Sequence, residues 1–184
     1  MIVVFAGLHG TGKSTIAKQV AQKINATFYS TGMAFRDLAK EKNMSLEQFS
    51  KYSEQNLDID KELDQKIYQM AQKGQNYVFD GQLPAYILKS LSNYNIMLKC
   101  DEKIRIERMA TRDGRTFEEQ KHETLIREES ERQRFIQLYN IDILDSTSIL
   151  KTYHLILDTT ALGIEEIVSI CAHAVETKAN WLKK

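Results

Sequence analysis

The densest chemical signal in the chain is the segment Gly7-Leu8-His9-Gly10-Thr11-Gly12-Lys13-Ser14. Glycines at three of these eight positions let consecutive backbone N–H groups curl inward around an anion, and a helix after them adds its positive end. Lys13 is spaced to reach β- and γ-phosphates, and the Ser14 hydroxyl is placed to ligand Mg²⁺, with Thr15 completing the ATP-binding set. A phosphate loop needs a buried strand before it and an amphipathic helix after it. Residues 2–6 are an unbroken apolar run, and Ile16, Val20 and Ile24, flanked by Ala17 and Ala21, repeat at helical spacing.

Further along, other residues could serve the same chemistry. Asp80 ends the apolar run 77–79, where a carboxylate at the carboxyl edge of a parallel sheet faces the loop and can hold Mg²⁺ through water. Arg105, Arg108, Arg112 and Arg115 are spaced by three, four and three, which predicts one shared helical face. Such a stripe can be a solvated surface paired with Glu102 and Glu107. In phosphoryl transfer it would instead surround the charge of a loose transition state and exclude water. Arg127, Glu131 and Arg134 fall at i, i+4 and i+7, offering donors and an acceptor to a ribose and a base edge, or forming an exposed salt-bridge ladder. Arg36, after Ser30-Thr31-Gly32, could pair with a second phosphate.

These groups need a scaffold, and the pattern supplies one. Strands are expected near 27–30, 77–80, 94–99 and 154–158 besides 2–6, alternating with helices, which predicts an α/β fold with a five-stranded parallel sheet covered on both faces. Helices are expected at about 32–42, 46–55 and 57–73, and two highly charged ones at 102–113 and 117–139. Capping patterns start two of them, Ser45 with Gln48 and Thr116 with Glu119.

Composition limits the rest. A chain of 184 residues, 42% hydrophobic, reads as one domain. Its 25 basic and 25 acidic side chains leave no polybasic field for nucleic acid or a membrane surface. No stretch approaches the roughly 20 apolar residues of a membrane span, and a cytoplasmic location is expected. Cys100 and Cys171, far apart in apolar surroundings, read as buried thiols. The histidines His9, His122, His154 and His173 lack metal-ligand spacing and have no carboxylate cluster near them in sequence, so no zinc is expected.

The whole pattern resembles the short cytidylate kinases of archaea, within the nucleoside monophosphate kinases, over nearly the full chain. The resemblance rests on the phosphate loop, Ser30-Thr31-Gly32-Met33-Ala34-Phe35-Arg36, residues 44–50, Asp58-Ile59-Asp60-Lys61-Glu62-Leu63-Asp64, Asp80-Gly81-Gln82-Leu83 and residues 127–134. It implies a P-loop kinase fold with monophosphate-binding helices at about 31–74 and a small helical lid at about 105–135. It also implies transfer of the ATP γ-phosphoryl to CMP or dCMP with Mg²⁺, in a monomer or small homo-oligomer. By the same resemblance Lys13, Arg108 and Arg112 would be catalytic, Arg36 would hold the acceptor phosphate, and Arg127, Glu131 and Arg134 would read sugar and cytosine.

Two departures stand out. Glu131 is one methylene longer than the corresponding Asp of bacterial enzymes, and Gln82 stands where the family usually has arginine, giving an acceptor contact without charge. Besides a cytidylate kinase, the residues allow a kinase for AMP or another small acceptor, and an ATP-sensing module without efficient transfer.

Overall fold

The computed structural model describes residues 1–182, with side chains as far as residue 180. The strands are β1 (Ile2–Ala6), β2 (Thr27–Ser30), β3 (Tyr77–Asp80), β4 (Tyr94–Lys99) and β5 (Leu155–Asp158). All pair in parallel, in the order β2-β3-β1-β4-β5. The helices are α1 (Lys13–Lys23), α2 (Thr31–Glu41), α3 (Leu46–Gln55), α4 (Asp58–Ala71), α5 (Pro84–Ile87), α6 (Glu102–Asp113), α7 (Phe117–Tyr139), α8 (Ser146–Thr152) and α9 (Ile164–Leu182).

Every residue of β1 is buried, as its continuous apolar run requires of a central strand covered on both sides. Alternate side chains divide between the faces. Val3 and Phe5 pack with Ile16, Ala17 and Val20 of α1 and with Ile167, Val168, Cys171 and Val175 of α9. Val4 and Ala6 pack on the opposite side with Ile67 and Ala71 of α4, Ala85 of α5 and Leu88. The five-stranded parallel sheet with helices on both faces is the arrangement expected from the sequence.

Several boundaries and elements differ. β5 begins at Leu155, one residue later than expected; His154 just before it donates its backbone N–H to the Asn95 carbonyl at 2.8 Å and accepts from the Asn95 backbone N–H on its ring at 2.9 Å. Three helices go beyond those named from the sequence: the short α5, started by a proline at its first turn, α8, and α9, whose apolar residues close one side of the core. Both expected capping boxes are present, at Ser45/Gln48 and Thr116/Glu119. Cys171 is buried as expected, but Cys100 is only partly so, its sulfur accepting from Arg108 Nη1 at 3.4 Å.

Strand order fixes where a ligand can bind. From β1 the chain crosses to β2, on the far side of β3, while β4 lies on the other side of β1. A crevice therefore opens beyond the carboxyl ends of β1, β3 and β4, the place where open α/β sheets bind ligands.

Candidate active site

The glycine-rich loop leaves β1 at this crevice and runs into α1. Gly10 has φ +79°, and a Cβ there would drive into the Arg105 carbonyl, so the loop can pass under α6 only with glycine at that point. Gly12 caps α1 in the left-handed conformation. Lys13 is half-buried and its Nζ donates to the Leu8 carbonyl at 2.9 Å, laying the ammonium across the loop from which its helix emerges. Burial pushes the Lys13 ammonium below its usual pKa, and Asp80, Glu131 and Glu128 pull it back.

Asp80 sits at the end of β3, in register with Phe5 on one side and Ser30 on the other. Its Oδ2 accepts from Ser14 Oγ at 2.5 Å and from Ser30 Oγ at 2.8 Å, while Oδ1 is buried with no partner among the described residues. A buried carboxylate oxygen left unpaired beside a hydroxyl is an oxygen-donor set suited to a hard divalent cation.

Two clefts adjoin at this point. One, a cavity of about 760 Å³, is bounded by loop residues from His9 to Thr15, by Arg108 and Arg112 of α6, and by residues 162–164. The other is narrow, about 100 Å³, and lies between α2, α4, the turn after β3, and α7. His9, Lys13, Ser14, Arg36 and Arg127 line both. Burial lowers the pKa of the Arg36 guanidinium, and the like charges of Arg127 and Arg112 lower it further. Two guanidiniums, Arg36 and Arg127, thus lie on the boundary between the clefts, with Arg112 in the larger one.

In the narrow cleft α7 presents Arg127, Glu131 and Arg134 together. They form a buried network and not an exposed ladder: Glu131 is 6% and Arg134 2% exposed. Arg127 Nε donates to Glu131 Oε1 at 2.9 Å, and Arg134 Nε donates to Asp60 Oδ2 at 2.7 Å. Arg134 also lies over the Phe35 ring, 5.7 Å from its centroid. Burial opposes the charge on Glu131, yet His9, Arg127 and Arg134 hold its carboxyl well below the usual carboxylate range. The His9 ring is itself shifted down by burial, and a neutral imidazole donating through Nε2 satisfies the 2.8 Å contact to Glu131 Oε2.

The structure revises several expectations. The four arginines of 105–115 do not share one face. Arg105 is buried beneath the loop, clamped to Glu128 at 2.7 and 2.9 Å and donating to the His9 carbonyl at 3.2 Å. Arg115 lies beyond the Gly114 cap of α6 and pairs with Glu123. Only Arg108 and Arg112 face the larger cleft, where Arg108 donates to the Thr159 carbonyl at 2.9 Å and Arg112 pairs with Asp113. Glu102 and Glu107 pair with Lys121 and Lys103 instead of arginines.

Gly7 and Leu8 do not line either cleft; the Leu8 side chain packs with Leu83, Phe135 and Ile143, and its carbonyl anchors Lys13. The Gln82 amide is spent on protein: Nε2 donates to Glu131 Oε2 at 2.6 Å and lies 3.2 Å from His9 Nε2, leaving Oε1 buried and unpartnered. The Glu131 carboxylate fixes that orientation, since a flipped amide would set oxygen against oxygen. His9, without a carboxylate near it in sequence, has Glu131 beside it through the fold. Among the described residues no group of three or more His, Cys, Asp or Glu is placed to hold a metal ion.

Two features of the site escaped sequence reasoning. Glu128 accepts from the His9 backbone N–H at 3.0 Å as well as from Arg105, tying the loop to α6 and α7. Asp60 and Asp64 of α4 line the narrow cleft, and their i, i+4 spacing was the available signal.

Comparison with known proteins agrees with this geometry. A family model described as an AAA domain matches residues 3–136. The cytidylate kinase of Methanosphaera stadtmanae is 38% identical over 178 residues, covering 97% of this chain and 99% of that protein. That of Methanococcus aeolicus is 37% identical over 182 residues, covering 97% and 99%. In fold alone, the shikimate kinase of Aquifex aeolicus superimposes with a TM-score of 0.56 at 16% identity, covering 97% of this chain and 98% of that one. No helix among the described residues is long and apolar enough to cross a membrane. With a phosphate loop at the switch point of a parallel sheet and relatives matched end to end, the chain belongs to the cytidylate kinase family of P-loop kinases and is a nucleoside monophosphate kinase.

Proposed function

We propose that the protein transfers the γ-phosphoryl group of ATP to CMP or dCMP, giving ADP and CDP or dCDP. The observation that carries this reading is the pair of adjoining clefts with Lys13, Ser14, Arg36 and Arg127 on their common boundary. A phosphoryl group passing in line between two nucleotides must cross such a boundary, and charge spread over its oxygens needs cations there. The relatives' acceptor, as their name gives it, agrees in kind with a narrow cleft that combines Phe35, Leu83 and Phe135 with polar groups.

In this reading residues Gly10 to Thr15 cradle the donor phosphates through backbone N–H groups, and Lys13 leaves the Leu8 carbonyl for the phosphate oxygens. Mg²⁺ would be held by Ser14 and, directly or through water, by Asp80, which fits the unpartnered Asp80 Oδ1. Bound there, the ion neutralises charge on the donor phosphates. Arg36 takes the acceptor phosphate, Arg108 and Arg112 screen the migrating group, and Arg127, Glu131 and Arg134 orient the nucleoside. The helices of 31–74 and the pair at 105–135 are then the two covers of the site. The narrow cleft is smaller than the 300–1,000 Å³ of typical ligand pockets, so α2 and α4 must part from α7 for the acceptor to enter.

The test is ADP release with ATP and Mg²⁺, offering CMP, dCMP, UMP, AMP and GMP separately at equal concentration. Turnover confined to CMP and dCMP is expected, and Lys13→Ala should lower it by roughly three orders of magnitude or more with the fold intact. Turnover with AMP would move the protein to adenylate kinases, and silence with every acceptor would favour an ATP-sensing module.

A further inference from the structure

The motif Asp58–Asp64 remains unassigned, although it puts two carboxylates on the wall of the acceptor cleft. Asp60 and Asp64 are each 8% exposed, one helical turn apart on α4 with Leu63 between them, and Leu63 packs with Phe35. Two carboxylates in a cleft whose Lys13, Arg36 and Arg127 also line the larger cleft are not suited to phosphate, which the cations would take. A carboxylate there suits hydrogen-bond donors, and the Phe35 ring beside it suits a flat base. Asp60 is committed to Arg134, which also donates to Ser130 Oγ at 2.8 Å. Among the described residues Asp64 has no cationic partner, and its one hydrogen-bond contact is Tyr139 Oη, which donates to Oδ2 at 2.8 Å and leaves the other oxygen for a ligand.

We propose that Asp64, held from behind by Tyr139, reads the exocyclic-amino edge of the acceptor base and so sets the preference for an amino-bearing pyrimidine over an oxo-bearing one. The proposal rests on the cleft being the monophosphate site. The N4 amino group of cytosine donates to a carboxylate, whereas uracil presents O4, an acceptor, at the same edge. An ionised Asp64 therefore accepts cytosine and repels uracil. A neutral Asp64 can donate to O4, and the penalty on uracil is relieved.

The surroundings place that switch within reach. Burial pushes the Asp64 carboxyl up to about 7, Tyr139 opposing and Asp60 adding to the rise. The charged and titratable groups that share its cleft are Asp60 on its own helix, Arg127, Glu131 and Arg134 on α7, Arg36 on α2, Asp80 at the end of β3, and His9 and Lys13 of the loop, with Tyr139 of α7 in direct contact. Burial also raises the Asp60 carboxyl, with Arg134 opposing the rise, whereas Glu131 is held well below the usual carboxylate range by His9 and Arg127. With its carboxyl at about 7, Asp64 changes charge near neutrality.

The experiment measures kcat/KM for CMP and for UMP between pH 5.5 and 8.5, with ATP and Mg²⁺, in the wild type, Asp64→Asn and Tyr139→Phe. The ratio of the two acceptors cancels ionisation of the phosphate and any titration in the loop, because both enter equally. It also cancels contacts to the ribose, which a carboxylate placed for sugar hydroxyls would make alike with both nucleotides. In the wild type the CMP-to-UMP ratio should rise by about tenfold or more across this range, the size of one charged hydrogen bond. In Asp64→Asn the ratio should be flat with pH, since an amide pairs with either edge and does not titrate. In Tyr139→Phe, loss of the hydroxyl that favours the carboxylate should move the rise to higher pH, which keeps the test intact if Asp64→Asn does not fold. CMP turnover with a ratio that ignores pH in the wild type, or a pH-dependent rise that survives in Asp64→Asn, would overturn the proposal alone. Failure of the wild type to turn over either pyrimidine nucleotide would overturn the acceptor reading and this proposal with it.

Discussion

Glu128→Ala is the most informative single change, because one side chain links the phosphate loop to both helices above it. The Arg105 side chain is 4% and that of Glu128 11% exposed, and they meet in a two-pronged contact. Removing the carboxylate strands a buried guanidinium, a loss of about 3–5 kcal/mol. At roughly 2–4 °C per kcal/mol for a chain of this size, the melting temperature should fall by about 6–20 °C. The His9 N–H also loses its acceptor, so the loop tip is no longer held, and a misplacement on the order of 1 Å costs about 100-fold in rate. The double variant Arg105→Met, Glu128→Met separates the two effects. It removes both charges and should melt within about 5 °C of wild type, since hydrophobic replacement of a buried pair is near neutral. Its kcat should remain low, because both anchors of His9, the Glu128 acceptor and the Arg105 donor to its carbonyl, are gone. Thermal unfolding beside steady-state ADP release reads both quantities. Wild-type turnover in a folded double variant would refute the loop-anchoring argument, and an unshifted melting temperature in Glu128→Ala would refute the electrostatic one.

Other perturbations probe the same geometry. Arg134→Ala leaves Asp60 buried without its partner and opens the narrow cleft, so KM for CMP should rise roughly tenfold or more with little change for ATP; equal effects on both would move Arg134 away from the acceptor. Gln82→Arg places a guanidinium where the amide already donates to Glu131, so its charge is taken up by that carboxylate and KM for CMP should change less than about threefold; a tenfold tightening would mean that the guanidinium reaches phosphate. Asp64 binds more protons folded than unfolded between its unfolded pKa of about 4 and its folded value of about 7, so stability contributed by its neutral form is present at the acid end and lost as pH rises through that window. Asp64→Asn should therefore gain in melting temperature relative to wild type from pH 4.5 to pH 8; a constant difference would place the folded pKa near the unfolded one.

Local pattern was enough to find the parts. The apolar run of β1, the glycines with Lys13 and Ser14, and the helical repeat of α1 are contiguous, and a phosphate loop is a local device made mainly of backbone. Alternation of apolar runs with helical repeats likewise determined the parallel sheet and its two covered faces, because crossover connections leave few other arrangements. The capping boxes at Ser45 and Thr116 fixed the starts of α3 and α7, since each closes within four residues. Spacing along α7 brought Arg127, Glu131 and Arg134 to one face, yet could not tell a buried network from a solvated ladder.

That choice was made by tertiary contact. Asp60 reaches Arg134 across 74 residues, His9 reaches Glu131 across 122, and Gln82 turns its amide to that same carboxylate. Periodicity within α6 gave Arg105 and Arg108 equal standing. Packing over Gly10 buried the first against Glu128 and left the second facing the cleft. A spacing of three or four residues states which side chains lie on the same side of a helix. Whether that side meets water, a carboxylate or a substrate depends on an element far away in sequence, which is why the loop was legible in the chain and the acceptor site only in the fold.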